Sequence, residues 1–272
     1  MTTGTEKVQL RGAAATLLFT LYLRRLDALT DRPILGDPYA VATWDRIEHD
    51  VSRIGTLSGD SATVVSRAAI LDGWTREFLA EHPDGQVLHL GCGLDSRPLR
   101  LDVPATCRWI DVDQPEVMDI RARLYDVPAH VEQVAASVAD DDWWDEVDTL
   151  RPTLVLAEGL LMYLPPTAVD TIVHRVTTRL SRGVLAFDAV SPWTQQLSRL
   201  TKLVTGVDTR FQWSWDGTEF AHRHPALRER DDVSVYDEAM LRTPNPWRRA
   251  WLAALGVLPG FADMMRLHRF RF

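Results

Sequence analysis

A chain of 272 residues with 46% hydrophobic and 25% charged residues has the balance of a folded globular protein, long enough for one large α/β domain or a core with an added cap; global disorder is excluded. The formal net charge of −8 leaves no electrostatic footprint for nucleic acid, so that partner is not expected. Two cysteines, Cys92 and Cys107, make neither a disulfide framework nor a zinc site.

Residues 1–9 are polar and lack the pattern of a signal peptide, which with the two thiols implies a reduced, cytoplasmic protein. The apolar stretch 13–23 is broken by Thr16, Thr20 and Tyr22 and stops at Arg24 and Arg25, too short to span a bilayer, so no membrane partner is expected either. Leu17, Leu18, Leu21 and Leu26 recur near helical spacing and predict a helix over 12–29, ended by Asp31-Arg32-Pro33. Asp37-Pro38-Tyr39 restarts a second helix, with proline near its first turn. The stretch 61–81 predicts a third, amphipathic helix, from Ser61 through Arg67, Leu71, Trp74 and Phe78. No strand signal appears before His82.

The texture then changes. Strands are predicted at 86–90, ending in Gly91-Cys92-Gly93; at 106–110, ending at Asp111-Val112-Asp113; at 130–135; at 153–157, which is apolar almost throughout, as a strand buried on both faces should be; and at 184–187, ending at Asp188. Helical patterns fill 114–125, 166–181 and 192–204. This alternation implies a mostly parallel sheet with right-handed crossovers. The stretch 206–235, rich in tryptophan, histidine and charge, has weak periodicity and reads as an insertion or lid over the sheet end. A helix is expected over 245–255, and 267–272 alternates apolar and basic residues, as a last strand with one partly open face would.

In an open α/β sheet, ligands bind beyond the carboxyl ends of the strands, near the switch in strand order. Gly91 and Gly93 follow the first strand, where glycine lets the backbone approach a ligand closely. Asp111 and Asp113 come 20 and 22 residues after Gly91, the place of an acid that accepts both hydroxyls of a ribose, although Asp113-Gln114-Pro115-Glu116 is also a good helix start. A dinucleotide site wants G-x-G-x-x-G, but position 96 is Ser and Asp95 would repel phosphates, which argues against a nicotinamide-dependent oxidoreductase. The phosphate-cradling loop of a nucleotide triphosphatase is missing as well. S-adenosylmethionine has no phosphate; it carries a sulfonium, an ammonium and a carboxylate. A carboxylate-rich pocket including Asp95 suits the two cations, and Arg67 is the candidate for the carboxylate, through two parallel hydrogen bonds.

At these residues the sequence resembles the leucine carboxyl methyltransferase family, in particular its tetracenomycin-type polyketide O-methyltransferase branch. The resemblance covers most of the chain. It runs through Thr16-Leu17-Leu18 and Ile34-Leu35-Gly36-Asp37-Pro38, the arginine-bearing Ser66-Arg67-Ala68-Ala69-Ile70-Leu71-Asp72, and the glycine loop Val87-Leu88-His89-Leu90-Gly91-Cys92-Gly93-Leu94-Asp95-Ser96-Arg97. It continues in Asp111-Val112-Asp113-Gln114-Pro115-Glu116-Val117, Ala157-Glu158-Gly159-Leu160-Leu161-Met162-Tyr163-Leu164, Ala186-Phe187-Asp188-Ala189-Val190-Ser191-Pro192-Trp193 and Phe211-Gln212-Trp213. It implies a class I methyltransferase fold, a Rossmann-like, mostly parallel seven-stranded sheet. Residues 1–82 would form a helical cap that includes the cofactor-binding helix, and 83–272 the catalytic core, with a lid at about 191–235. It also implies S-adenosylmethionine as cofactor, leaving as S-adenosylhomocysteine. Arg67 should hold its carboxylate, Gly91 and Gly93 line its methionine portion, Asp113 take the ribose hydroxyls, Ser137 and Val138 flank the adenine, and Glu158 face the amino group. Relatives of this kind often carry Asp-Leu beside the adenine, where this chain has Ser137-Val138.

The expected acceptor is an oxygen, carboxylate or phenolic, on a small polyketide-like molecule. A carboxylate, with a pKa near ~4, needs no base at neutral pH, whereas a phenol near ~10 does. No convincing base is legible. His89 sits inside the first strand and reads as a packed core histidine, His222 and His224 fall in the lid stretch, and Tyr163 is a candidate for orienting the acceptor oxygen. Trp193, Trp213 and Trp215 suit an aromatic substrate and core packing equally. A cofactor-binding module without turnover is the non-enzymatic alternative.

Overall fold

The computed structural model describes residues 6–7, 15–48, 61–205, 210–243, 245–257 and 260–272. Residues 12–14, where the first helix was expected to begin, lie outside them. The helices are α1 (Ala15–Ala28), α2 (Pro38–Trp44), α3 (Ser61–Glu81), α4 (Arg97–Arg100), α5 (Pro115–Leu124), α6 (Pro166–Arg179), α7 (Pro192–Thr205), α8 (Thr218–Arg223), α9 (Val235–Arg242) and α10 (Pro246–Gly256). The strands of the large sheet are β1 (Gln86–Leu90), β2 (Arg108–Asp113), β3 (Val131–Ala135), β4 (Thr153–Ala157), β5 (Gly183–Val190), β6 (Arg228–Ser234) and β7 (Met265–Arg271). A two-residue parallel pairing of Glu6–Lys7 with Ile47–Glu48 lies apart from that sheet and had no signal in the sequence.

The seven strands lie in the order β3-β2-β1-β4-β5-β7-β6. The first five are parallel, and β7 runs antiparallel between β5 and β6. This is the class I methyltransferase sheet that the resemblance implies. Strand order reverses between β1 and β4, which opens a crevice at their carboxyl ends.

Period-two alternation assigns the two faces. Val87, Trp109, Leu154, Leu156 and Ala186 pack against Ile70, Leu71, Trp74, Phe78 and Leu79 of α3. Leu88, Leu90, Ile110, Val112, Val155, Leu185 and Phe187 pack against Val169, Ile172, Val173 and Val176 of α6. A parallel sheet covered on both faces needs strands that are apolar throughout, and β1 and β4 are buried at every position. A third cluster joins Leu21, Ala40 and Trp44 of α1 and α2 to Leu94, Ile120 and Leu124, which seats the amino-terminal helices over the loop that follows β1.

Four features differ from the sequence reading. α3 is not amphipathic: Val65, Ser66, Ala68, Leu71 and Thr75 are all buried, because α3 covers the sheet while α1 and α9 pack along it from outside. Asp111, Asp113 and Asp188 lie within their strands and not after them, since the β2–β3 and β5–β7 ladders continue past the apolar runs. The lid stretch contains α8 and then β6, whose sequence Arg-Glu-Arg-Asp-Asp-Val-Ser carries no alternation; it is an edge strand, where charge guards exposed backbone groups. β7 is an inner strand, with Leu267 and His268 fully buried, and its arginines reach acids of its neighbours, Arg266 to Asp232 and Arg269 to Asp231 and Glu77. Among the described residues no helix is long and apolar enough to cross a membrane.

Candidate functional site

The loop after β1 turns on two glycines in the left-handed region, Gly91 at φ 64° and Gly93 at φ 52°. A Cβ on Gly93 would stand 2.6 Å from Leu17 Cδ2 of α1, and one on Gly91 would stand 2.8 Å from Leu160 Cδ1. Both positions therefore need glycine for conformation and for closeness. Asp113, at the end of β2, braces this loop: Gly93 N–H donates to its Oδ2 at 2.7 Å, and Gln114 N–H donates to its Oδ1 at 2.7 Å. Burial pushes the Asp113 carboxyl above its ordinary value, against the pull of those two N–H groups. At the other side of the loop, Ser96 Oγ donates to Asp37 Oδ2 at 2.7 Å, while Asp37 Oδ1 caps α2 by accepting from Tyr39 N and Ala40 N.

Beside the glycine loop lies a buried network of arginines and acids. Glu158, one residue past β4, takes Arg24 at 3.0 Å, Arg67 at 3.1 Å and Arg97 at 2.7 Å. Asp95 takes Arg24 at 3.1 Å and Arg97 at 2.9 Å, and also Arg100. Arg67 reaches on to Asp188 at 3.0 Å, and Gly159 N–H donates to the same carboxylate at 2.6 Å. Asp72 of α3 holds Arg97 at 2.7 Å and Arg100 at 2.8 Å. Buried charges persist only when paired, and these are paired several times over. The number of partners decides the outcome. Burial would raise Glu158, but its three arginines outweigh that and hold it down at about 2. Asp95, also among three arginines, lies well below its ordinary value for the same reason. Asp188 has a single arginine, so burial prevails and its carboxyl is raised.

The network forms part of the wall of a cavity of about 300 Å³. Its charged lining is Arg24, Arg67, Asp95 and Glu158, with the His89 residue beside them; its apolar and aromatic lining includes Leu17, Phe19, Val64, Tyr163 and Phe211, with Gly91 and Gly93 between them in sequence. The Tyr163 ring meets Phe211 edge-on at 5.3 Å, and burial pushes its phenol up.

The structure thus brings Arg67, Gly91, Gly93, Asp95, Glu158 and Tyr163 to one cavity, with Asp113 bracing its glycine loop. Ser137 and Val138 follow β3 outside that lining; Ser137 Oγ accepts from Ala139 N at 3.2 Å, and Val138 is buried with Trp143 and Trp144. Arg67 and Asp95, expected to face a ligand directly, are engaged with protein charges. Sequence reasoning passed over Arg24, Arg97, Arg100 and Asp72. For Arg24 a signal existed: Leu17, Leu21 and Arg24 stand at i, i+4 and i+7 on one stripe of α1, so Arg24 turns inward, 5% exposed, while its neighbour Arg25 stays partly open.

The donor set fits an amino-acid zwitterion. Buried guanidinium groups suit a carboxylate and ionised acids suit an ammonium. Arg24 Nε is buried with no hydrogen-bond acceptor among the described residues, a donor available to a ligand. No cluster with the composition of a metal site occurs among the described residues.

Comparison with known proteins agrees with this geometry. The model of the leucine carboxyl methyltransferase family matches residues 26–177. The tetracenomycin polyketide synthesis O-methyltransferase TcmP of Streptomyces glaucescens is 40% identical over 98% of this chain and 99% of its own length. The S-adenosyl-L-methionine-dependent methyltransferase dpfgK of Gibberella zeae is 34% identical over 96% of this chain and 93% of its own. A crystal structure of a Thermobifida fusca protein assigned as a methyltransferase superposes with a TM-score of 0.58 at 21% identity, covering 92% of this chain and 93% of that one, a likeness of fold. Sequence match, full-length relatives and sheet order converge, and the chain belongs to the leucine carboxyl methyltransferase family as an S-adenosylmethionine-dependent methyltransferase.

Proposed function

We propose that this enzyme methylates an oxygen, a carboxylate or an acidic phenolic hydroxyl, on a small polyketide-like aromatic molecule. The observation that carries the reading is the double character of the cavity: charged groups matched to an amino-acid zwitterion and an aromatic lining of Phe19, Tyr163 and Phe211 share one space. The full-length likeness to the tetracenomycin polyketide synthesis O-methyltransferase supports a polyketide-like acceptor in that space.

Bound there, S-adenosylmethionine supplies an electrophilic methyl carbon and leaves as S-adenosylhomocysteine. The chain's own residues do the rest. Arg67 and Arg24 bind the carboxylate of the amino-acid end, Glu158 balances its ammonium, and Asp113 accepts from the ribose hydroxyls through lone pairs not used by Gly93 and Gln114. Gly91 and Gly93 let the methionine portion lie against backbone, and Ser137 and Val138 border the adenine. Tyr163, kept protonated by burial, donates its O–H and orients the acceptor oxygen. Leu17 and Phe19 of α1, with Phe211, exclude water, so a charged nucleophile is held in line at roughly 3–3.5 Å in a poorly solvating space. An acceptor that is ionised at neutral pH needs no base, which agrees with an aromatic wall that offers none.

The test is incubation with methyl-labelled S-adenosylmethionine and a panel of aromatic acids and phenols, with products resolved by mass spectrometry. Label on oxygen of an aromatic acid or phenol is the expected result. Label found only on nitrogen, or only on protein, overturns it.

A further inference from the structure

The aromatic lining of the cavity comes from three places in the chain: Phe19 on α1, Tyr163 in the short helical turn Leu161–Tyr163 after β4, and Phe211, which belongs to no helix or strand. The residues from Phe211 to Trp215 alternate in their surroundings. Phe211 meets the cavity and Gln212 is exposed; Trp213 is buried in the core, Ser214 is half-buried and Trp215 packs against that core. The rings of Trp213 and Trp215 each stand 6.1 Å from Phe187, and 5.9 and 5.0 Å from Phe220. Of the tryptophans that suited packing and an aromatic substrate equally, these two are packed, and Trp193 is exposed on α7. The ring of this segment that reaches the cavity is Phe211.

A segment outside helix and strand needs other partners for its backbone, and here they come from two sides. From the turn after β4, Met162 O accepts from Gln212 N at 2.7 Å and from Trp213 N at 3.2 Å, and Tyr163 O accepts from Gln212 Nε2 at 2.6 Å. From α7, Ser198 Oγ accepts from Phe211 N at 3.1 Å and donates to Gln195 O at 2.7 Å. Gln195 uses both ends of its amide: Nε2 donates to Gln212 O at 2.7 Å, and Oε1 accepts from Ser214 Oγ at 3.0 Å. Gln195 and Ser198 lie outside the cavity lining, yet they grip the backbone of Phe211 and Gln212 and the side chain of Ser214. Held in this way, the Phe211 ring meets Tyr163 at 5.3 Å with 65° between the ring planes.

We propose that Gln195 and Ser198 are positioning residues for the methyl acceptor: they fix Phe211 against Tyr163 as a corner of two aromatic rings that selects a flat acceptor ring over a puckered one. This rests on the reading that the cavity takes an aromatic acceptor beside the cofactor. In such a corner a planar ring lies against the face of one aromatic and turns its edge to the other, contacts of the offset-stacked and edge-to-face kind that a saturated ring does not make. Holding Phe211 in place before the acceptor arrives spares the ordering of its segment during binding, so the clamp raises acceptor affinity by preorganisation. Arg24, Arg67 and Glu158, which would hold the amino-acid end of the cofactor, stand on α1, on α3 and past the end of β4, not on α7. Cofactor affinity therefore does not depend on the clamp.

The test is calorimetric titration of the full-length protein, saturated with S-adenosylhomocysteine, with 2-naphthoate and with decahydro-2-naphthoate, its saturated counterpart bearing the same carboxylate. The wild type should bind 2-naphthoate about three- to tenfold more tightly than the saturated acid, the range set by one aromatic pair. Q195M, which keeps the length of the side chain without its amide, should lose most of that preference, with the Kd for S-adenosylhomocysteine unchanged. F211L should lose the preference too, and F211Y should keep it. If Q195M does not fold, the Ser198 variants decide: S198A should lose the preference, and S198T, which retains the hydroxyl, should keep it. Wild-type preference in Q195M, S198A or F211L, or a preference lost only in proportion to S-adenosylhomocysteine affinity, overturns the proposal and leaves the acceptor reading standing. So does a wild type that binds both acids equally. A wild type that binds neither removes the aromatic-acceptor reading, and the proposal with it.

Discussion

Asp113 carries two structural bonds and, as proposed, a third duty. Its Oδ2 holds Gly93 N–H and its Oδ1 holds Gln114 N–H, each at 2.7 Å, so the carboxylate ties the glycine loop to the residue just before α5. The sequence left helix cap and ribose acid as alternatives at this position. The geometry removes the first, since the N-cap of α5 is Gln114 and no side chain bonds the helix end, and keeps oxygen lone pairs for the second. Two substitutions separate the brace from the ribose contact. Asp113→Asn retains an acceptor for Gly93 but loses one acceptor and the charge; S-adenosylhomocysteine should bind about tenfold more weakly, with the melting temperature little changed. Asp113→Ala removes the brace too, and should cost about 1.5–3 kcal/mol of stability besides most of the affinity, by the usual value of a hydrogen bond to a charged group. Equal affinity for wild type and Asp113→Asn would place the ribose contact elsewhere.

α1 acts as an element through two of its residues on one stripe. Leu17 lies against Gly93, and Arg24, two turns on, reaches Asp95 and Glu158. The helix therefore registers against the loop after β1 by shape at one point and by charge at another. Gly93→Ala tests the shape contact. A side chain at φ 52° with a Cβ 2.6 Å from Leu17 Cδ2 suffers both strain and a clash. The expected cost is about 1–2 kcal/mol from the left-handed backbone alone. Adding Leu17→Ala should relieve the clash and recover part of the loss, a coupling that urea titration of the two single variants and the double variant reads as a non-additive term. Strict additivity would mean that α1 does not rest on the loop in solution. Element by element, the parallel strands were readable because burial on both faces demands continuous apolar runs, as in 153–157. The edge strand β6 was not, because its charged sequence answers to solvent and to β7 and not to a core.

The molecule as a whole concentrates buried charge at the crevice between β1 and β4, and this sets its behaviour in acid. Asp72, Asp95, Asp111 and Glu158 all have carboxyls held below their ordinary values by arginines, Glu158 at about 2. The unfolded chain binds protons at these groups before the native state does. Their stabilisation is therefore complete above the ordinary carboxylate range near ~4 and is lost as pH falls through the depressed native values. Asp113 and Asp188, both raised, act in the opposite sense, but they are fewer. The urea midpoint should hold steady from pH 7 to about 5 and fall steeply below about 4.5. Glu158→Gln should lower stability at neutral pH by about 3–5 kcal/mol, the cost of leaving a buried partner unpaired, and should flatten the acid limb. An unchanged acid limb in that variant would show that the network is not paired in solution.

The sequence by itself determined the sheet's five parallel strands, the helices between them, the glycine loop and the chemical class of the cofactor, because each is written in local pattern: apolar runs, periodicity, and residue types at strand ends. Only the tertiary structure decided which charges meet. Arg24, Asp72 and the Asp95–Arg97 segment are distant from one another in the chain; they become one network when α1, α3 and the loop after β1 fold onto the same crevice. Pairing of buried charge depends on three-dimensional proximity and on exclusion of water, and neither is a property of a linear spacing.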